Sequence, residues 1–104
     1  MKRTKSMIYH ETPESRELFL YATNDEELYR RMISPIIANL HKKVSKGIYD
    51  AEKAIDAFYP VATEASKHYA RDFGYSFGVG DRFTVACDMA DYYKDEVFFD
   101  LATV

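Results

Sequence analysis

Tryptophan is absent from this chain and cysteine occurs once, as Cys87. A lone cysteine excludes an internal disulfide, so packing alone must hold the fold, and a reducing cytoplasm is the expected compartment. Long apolar runs are also missing. The longest is Leu18 to Ala22, five residues, against the roughly 20 that a helix needs to cross a bilayer. A membrane is therefore not among the expected partners. Met1-Lys2-Arg3-Thr4-Lys5 is basic, but His10 and Glu11 arrive before any apolar segment, so no signal peptide is expected. Basic residues are not in excess: 17 acids face 14 bases, for a net charge of −3. That excludes a histone-like polycation and leaves room only for a local basic patch.

What remains is a small globular composition. The 104 residues are 47% apolar and 30% charged, the balance of a packed domain and not of a disordered chain. No linker or low-complexity stretch divides it, so residues 1–104 read as one helical domain, with 1–11 as a flexible N-terminal arm. Charge comes in blocks. Residues 11–27 carry six acids and one base, residues 28–49 five bases and no acid.

The apolar spacing predicts an all-α bundle. Two long antiparallel helices, each kinked by a proline, form its frame. A third long helix packs across them, and a short helix precedes them. The first long helix starts at Asn24 as N-cap, with Glu27 completing a capping box, and stops at Gly47. Leu28, Met32, Ile33, Ile36, Ile37, Leu40 and Val44 recur along it at helical spacing. So wide an apolar arc suggests the central element. Pro35 either starts a new helix or kinks one. The unbroken apolar register favours one kinked helix. The second long helix runs from Asp50 as N-cap to Gly74, with Pro60 on its solvent side, and a short connection makes the pair an αα-hairpin. The third starts near Asp81 and buries Val85, Ala86, Met89, Tyr93 and Val97. Thr12 and Pro13 open the short helix. The segment Leu18-Phe19-Leu20-Tyr21 also fits a strand pairing with Met7-Ile8-Tyr9. The expected core is Met32, Ile36, Leu40, Phe58, Ala62, Met89 and Tyr93.

Leu18-Phe19-Leu20, Asn24-Asp25, Leu28-Tyr29, Pro35-Ile36, Asn39-Leu40, Lys43, Gly47, Tyr49-Asp50, Ala54, Tyr69 and Arg82 follow one another in a pattern covering roughly residues 17–95. The pattern resembles small uncharacterised helical proteins of bacteriophage and environmental-virus genomes. The resemblance implies a viral accessory protein in a host cytoplasm and no particular chemistry. Phe58 departs from it, standing where tryptophan is expected.

Several constellations bear on function. Asn39 and Lys43 lie one turn apart inside the apolar arc, where polar groups need partners. They are a candidate pocket or anion site. Tyr75, Phe77, Phe98 and Phe99 fall outside the core stripes, and surplus aromatics of this kind anchor protein interfaces. Arg30, Arg31, His41, Lys42 and Lys46 make a basic helix face, a candidate nucleic-acid contact. Asp88, Asp91 and Asp95 at i, i+3 and i+7 are weak metal candidates, like half of the carboxylate cage of helical nucleotide pyrophosphatases. The facing half fails, because Arg30 stands where an acid is needed. Glu64, His68 and Asp72 share a helix edge and fit a solvated flank better than a metal or acid–base site. Gly78-Val79-Gly80 follows a helix and leads to Phe83, so it is no dinucleotide loop. No cofactor motif or complete catalytic set is present. The expected function is thus non-enzymatic: an accessory protein that binds another protein or itself as a homo-oligomer. A nucleic-acid-associated role is the alternative and a metal-dependent phosphohydrolase a remote third.

Overall fold

The computed structural model describes residues 11–99. The N-terminal arm, the segment Met7-Ile8-Tyr9 and the end from Asp100 lie outside the described residues. Among those described, every regular element is helical.

The first helix, α1, spans Pro13–Thr23, so Leu18 to Tyr21 is helix and not strand. Thr12 Oγ1 accepts from the Ser15 N–H at 3.0 Å while Ser15 Oγ accepts from the Thr12 N–H at 2.9 Å. This reciprocal cap satisfies two donors that a helix start leaves open. The Asn24 N–H bonds to the Leu20 carbonyl at 3.1 Å, which spends Asn24 as the end of α1. The expected N-cap therefore moves one residue on: Asp25 Oδ1 accepts from the Leu28 N–H at 3.1 Å.

Helical backbone then runs without a break through α2 (Glu26–Leu28), a π turn (Tyr29–Ile33) and α3 (Ser34–Ser45). The π turn lies directly ahead of Pro35, which has no N–H for the Arg31 carbonyl. The Ser34 N–H reaches back five residues to the Tyr29 carbonyl, so the turn holds one residue more than an α turn. The insertion resets the buried face. Leu28 and Ile33, five apart, are both buried, and Ile37 and Leu40 follow. Met32 and Ile36, expected in the core, sit half-buried at its edge.

Gly47 ends this run in the left-handed conformation at φ 74°. The Ile48 N–H bonds to the Lys43 carbonyl at 2.9 Å and the Gly47 N–H to the Val44 carbonyl at 3.0 Å, the two bonds of a Schellman closure. Next, α4 spans Ala51–Phe73, capped by Asp50 Oδ1 on the Glu52 N–H at 2.9 Å and ended by Gly74 at φ 74°. Pro60 is exposed, as its side of the helix requires. The following helix, α5, spans Val79–Tyr92, two residues earlier than its acidic start suggested, and α6 spans Lys94–Phe99. The expected third helix is thus interrupted at Tyr93, although Tyr93 and Val97 are buried as expected.

The long α4 packs chiefly on α5, with α1 lying against both, and α3 packs chiefly on α6. The two longest helical runs are joined by a short connection, yet α4 packs chiefly on α5 and only slightly on α3. Thr84 to Met89 are all buried, so α5 is the central element in place of the 26–45 run. Phe58 is stacked on Tyr93 at 5.8 Å. The last helix, α6, is pinned by Tyr29 Oη donating to Glu96 Oε1 at 3.2 Å and by His41 Nδ1 at 2.7 Å from the Val97 carbonyl. No helix among the described residues is long and apolar enough to cross a membrane.

Candidate binding site

The closure around Gly47 turns the chain so that the start of α4 returns beside the end of α3. A cavity of about 360 Å³ opens there, lined by Leu40, Lys43, Ile48, Asp50 and Lys53. Lys43 is half-buried. Lys53 is exposed at the rim, and Ile48, 60% exposed, forms an apolar edge. Asp50 is partly committed, since its Oδ1 caps α4. Neither lysine forms an ion pair among the described residues. Asn39 is exposed and takes no part in the lining. Of the expected pair, the lining of this cavity includes Lys43 and not Asn39. Ile48, Asp50 and Lys53 were missed. The three-residue connection 48–50 was the signal that could have placed them beside Lys43.

The four interface aromatics are not brought together. Phe77 is buried, with its ring 4.9 Å from that of Tyr69, because the 74–78 connection folds it onto the core. Tyr75 is exposed and packs edge-on to Phe77 at 4.8 Å. Phe98 borders Tyr49 at 4.9 Å, just ahead of α4, and Phe99 is exposed beside it in sequence. The 23 residues of α4 separate the Tyr49 end from the Tyr75 end by about 34 Å. At the Tyr75 end the structure adds Phe73, Val79 and Phe83, all exposed. Val79 and Phe83 share one face of α5 at i and i+4.

The basic face is divided. Arg30 and Arg31 stand on the π turn, with Arg31 3.9 Å from Glu27, and Lys42 and Lys46 lie near the end of α3. Arg31 and Lys42 are about 16 Å apart along the helix. His41, half-buried on the same helix, sets its Nδ1 2.7 Å from the Val97 carbonyl and so ties α6 to α3.

No family model, curated protein or solved structure matches the chain.

The carboxylates do not converge either. Asp88 is buried and Asp91 exposed on α5, while Asp95 belongs to α6, past the interruption at Tyr93. Among the described residues no group of three or more His, Cys, Asp and Glu side chains is placed to hold a metal ion. His68 Nε2 meets Glu64 Oε2 at 3.1 Å, but Asp72 turns away to accept from Tyr21 Oη at 2.8 Å. That hydrogen bond, with the nearby Arg71 guanidinium, holds the Asp72 carboxyl below its usual range. Cys87 is buried, and burial, with the charge of Asp88 adding to it, pushes its thiol up to about 11. A thiol in that state is a poor nucleophile.

Proposed function

We propose that this chain is a non-enzymatic accessory protein that works by protein–protein contact, in the first place with a second copy of itself. The observation that carries the reading is the set of large apolar side chains exposed around the α4–α5 connection: Phe73, Tyr75, Val79 and Phe83. Clustered exposed apolar surface marks interaction sites, and aromatic side chains supply their anchors. Two of these rings already pack on neighbouring rings. Phe73 lies 4.7 Å from Tyr69, and Tyr75 4.8 Å from Phe77. Anchors that are already packed lose little side-chain entropy on binding.

A second copy fits because the rim carries little net charge. Arg71 and Asp72 pair with each other at 3.4 Å, and Asp81 is followed by Arg82. A two-fold interface sets each patch against itself, and an acidic chain avoids like-charge repulsion best where its surface is locally neutral. Light scattering after gel filtration, over a wide concentration range, tests this. The expected result is a mass that rises toward the dimer with concentration and stays monomeric in a Phe73→Ser, Val79→Ser double variant. Both positions are exposed, so the variant keeps its fold, which its circular dichroism melt verifies. A wild-type chain that is monomeric at every concentration overturns self-association.

A further inference from the structure

Two lysines that form no ion pair among the described residues line one cavity with two apolar side chains, Leu40 and Ile48, and a single acid, Asp50. From this we infer that the cavity between the end of α3 and the start of α4 binds a small organic anion: a phosphate monoester or carboxylate carrying a compact apolar group. The site lies at the opposite end of α4 from the Phe73–Phe83 surface, and the inference does not depend on that surface.

The volume of about 360 Å³ falls at the lower end of the range for small-molecule pockets. Its chemistry is two-sided. Leu40 and Ile48 supply apolar wall, and Lys43 and Lys53 supply ammonium donors. Asp50 is the one acid in the lining, and its cap bond to the Glu52 N–H already occupies one oxygen. The cavity therefore carries a net positive charge, in a chain whose overall charge is −3. An anion in the cavity can accept charge-assisted hydrogen bonds from the ammonium groups of Lys43 and Lys53, which are stronger than neutral ones. A bare inorganic anion would leave the apolar wall wet. A neutral apolar molecule would leave both ammonium groups unmatched. An anion with an apolar body uses both halves.

Phenyl phosphate, inorganic phosphate and benzyl alcohol separate these cases, titrated into the full chain and followed by amide chemical shifts. Phenyl phosphate is expected to give saturable shifts at Leu40, Lys43, Ile48, Asp50 and Lys53. Inorganic phosphate should bind more weakly at the same residues, and benzyl alcohol should not saturate. Lys43→Met keeps the stem and removes the charge. It should weaken phenyl phosphate by about tenfold or more, the scale of one lost charge-assisted hydrogen bond, and Lys53→Gln should weaken it in the same direction. Asp50→Asn keeps an N-cap of equal quality while removing the competing carboxylate, and should tighten binding roughly threefold. No side-chain hydrogen bond or ion pair among the described residues is lost in either lysine variant, so both should melt as the wild type does. The inference is overturned if phenyl phosphate gives no saturable shift at these residues, if either lysine variant binds it as the wild type does, or if benzyl alcohol binds as tightly.

Discussion

Cys87 illustrates how position on a helix decides the chemistry of a side chain. It sits within the buried stretch of α5 beside Asp88, and burial first, then that carboxylate, raises its thiol from 9.0 to about 11. Thiol reagents act on the thiolate. Near pH 8 a shift of this size lowers the thiolate population about 100-fold. Labelling of the native protein with a disulfide reagent should be slower than labelling in denaturant by at least that factor, and comparable rates would overturn the placement of Cys87. The linkage has a definite sign. The folded value lies above the unfolded one, so this contribution to stability is whole below pH 9 and is lost as pH rises toward 11. Cys87→Ala should flatten that part of the stability profile. Phe58 offers a test of packing. It is fully buried and stacked on Tyr93. Phe58→Ala should lower unfolding free energy by about 3–5 kcal/mol in urea titrations, a large part of what a domain of this size has. An unchanged midpoint would contradict the core described above.

Among the elements, the π turn has the widest consequences. It joins Leu28 and Ile33 on one buried line at a spacing of five, where α spacing would have chosen Met32. Ile33→Ala should therefore cost about 2–5 kcal/mol, as for a buried aliphatic residue. Met32→Ala, at a half-buried site, should cost clearly less. Equal costs, or the reverse order, would show that the helix keeps α register through Pro35. The same turn marks the limit of what the sequence makes legible. Caps and stops follow from local chemistry, and Thr12, Asp50, Gly47 and Gly74 could be placed from residue type alone. The shift from Asn24 to Asp25 could not, because it depends on where α1 ends. Apolar periodicity showed that residues 28–44 are helical, but a single inserted residue decides whether Met32 and Ile36 or Ile33 and Ile37 face the core. Likewise Lys43 stood out by pattern, whereas Lys53 reaches the same cavity from another helix, which no local spacing shows.

At the scale of the molecule the helices sort into two groups. One is the three-helix core of α1, α4 and α5, and the other is the pair α3 and α6, which pack chiefly on each other. Pairwise choices of this kind are set by which faces fit best in space, which explains why a short connection between α3 and α4 did not make them principal partners. The division has an energetic side. Leu18, Ala22, Phe58, Val61, Ala62, Ala65, Val85, Ala86 and Met89 bury completely within the core group. The pair holds on through fewer anchors: Ile37, Leu40 and Val97 in packing, with the His41–Val97 and Tyr29–Glu96 bonds and the Tyr49–Phe98 contact as pins. Regions with fewer buried apolar anchors open below the global unfolding free energy. Native-state amide exchange should then show α3 and α6 opening together at lower free energy than α4 and α5. Replacing His41 with Ala should widen the gap, because it removes a pin between α3 and α6. If all four helices exchange only through global unfolding, the two groups form one cooperative unit. In that case the cavity at the end of α3 is as rigid as the core behind it.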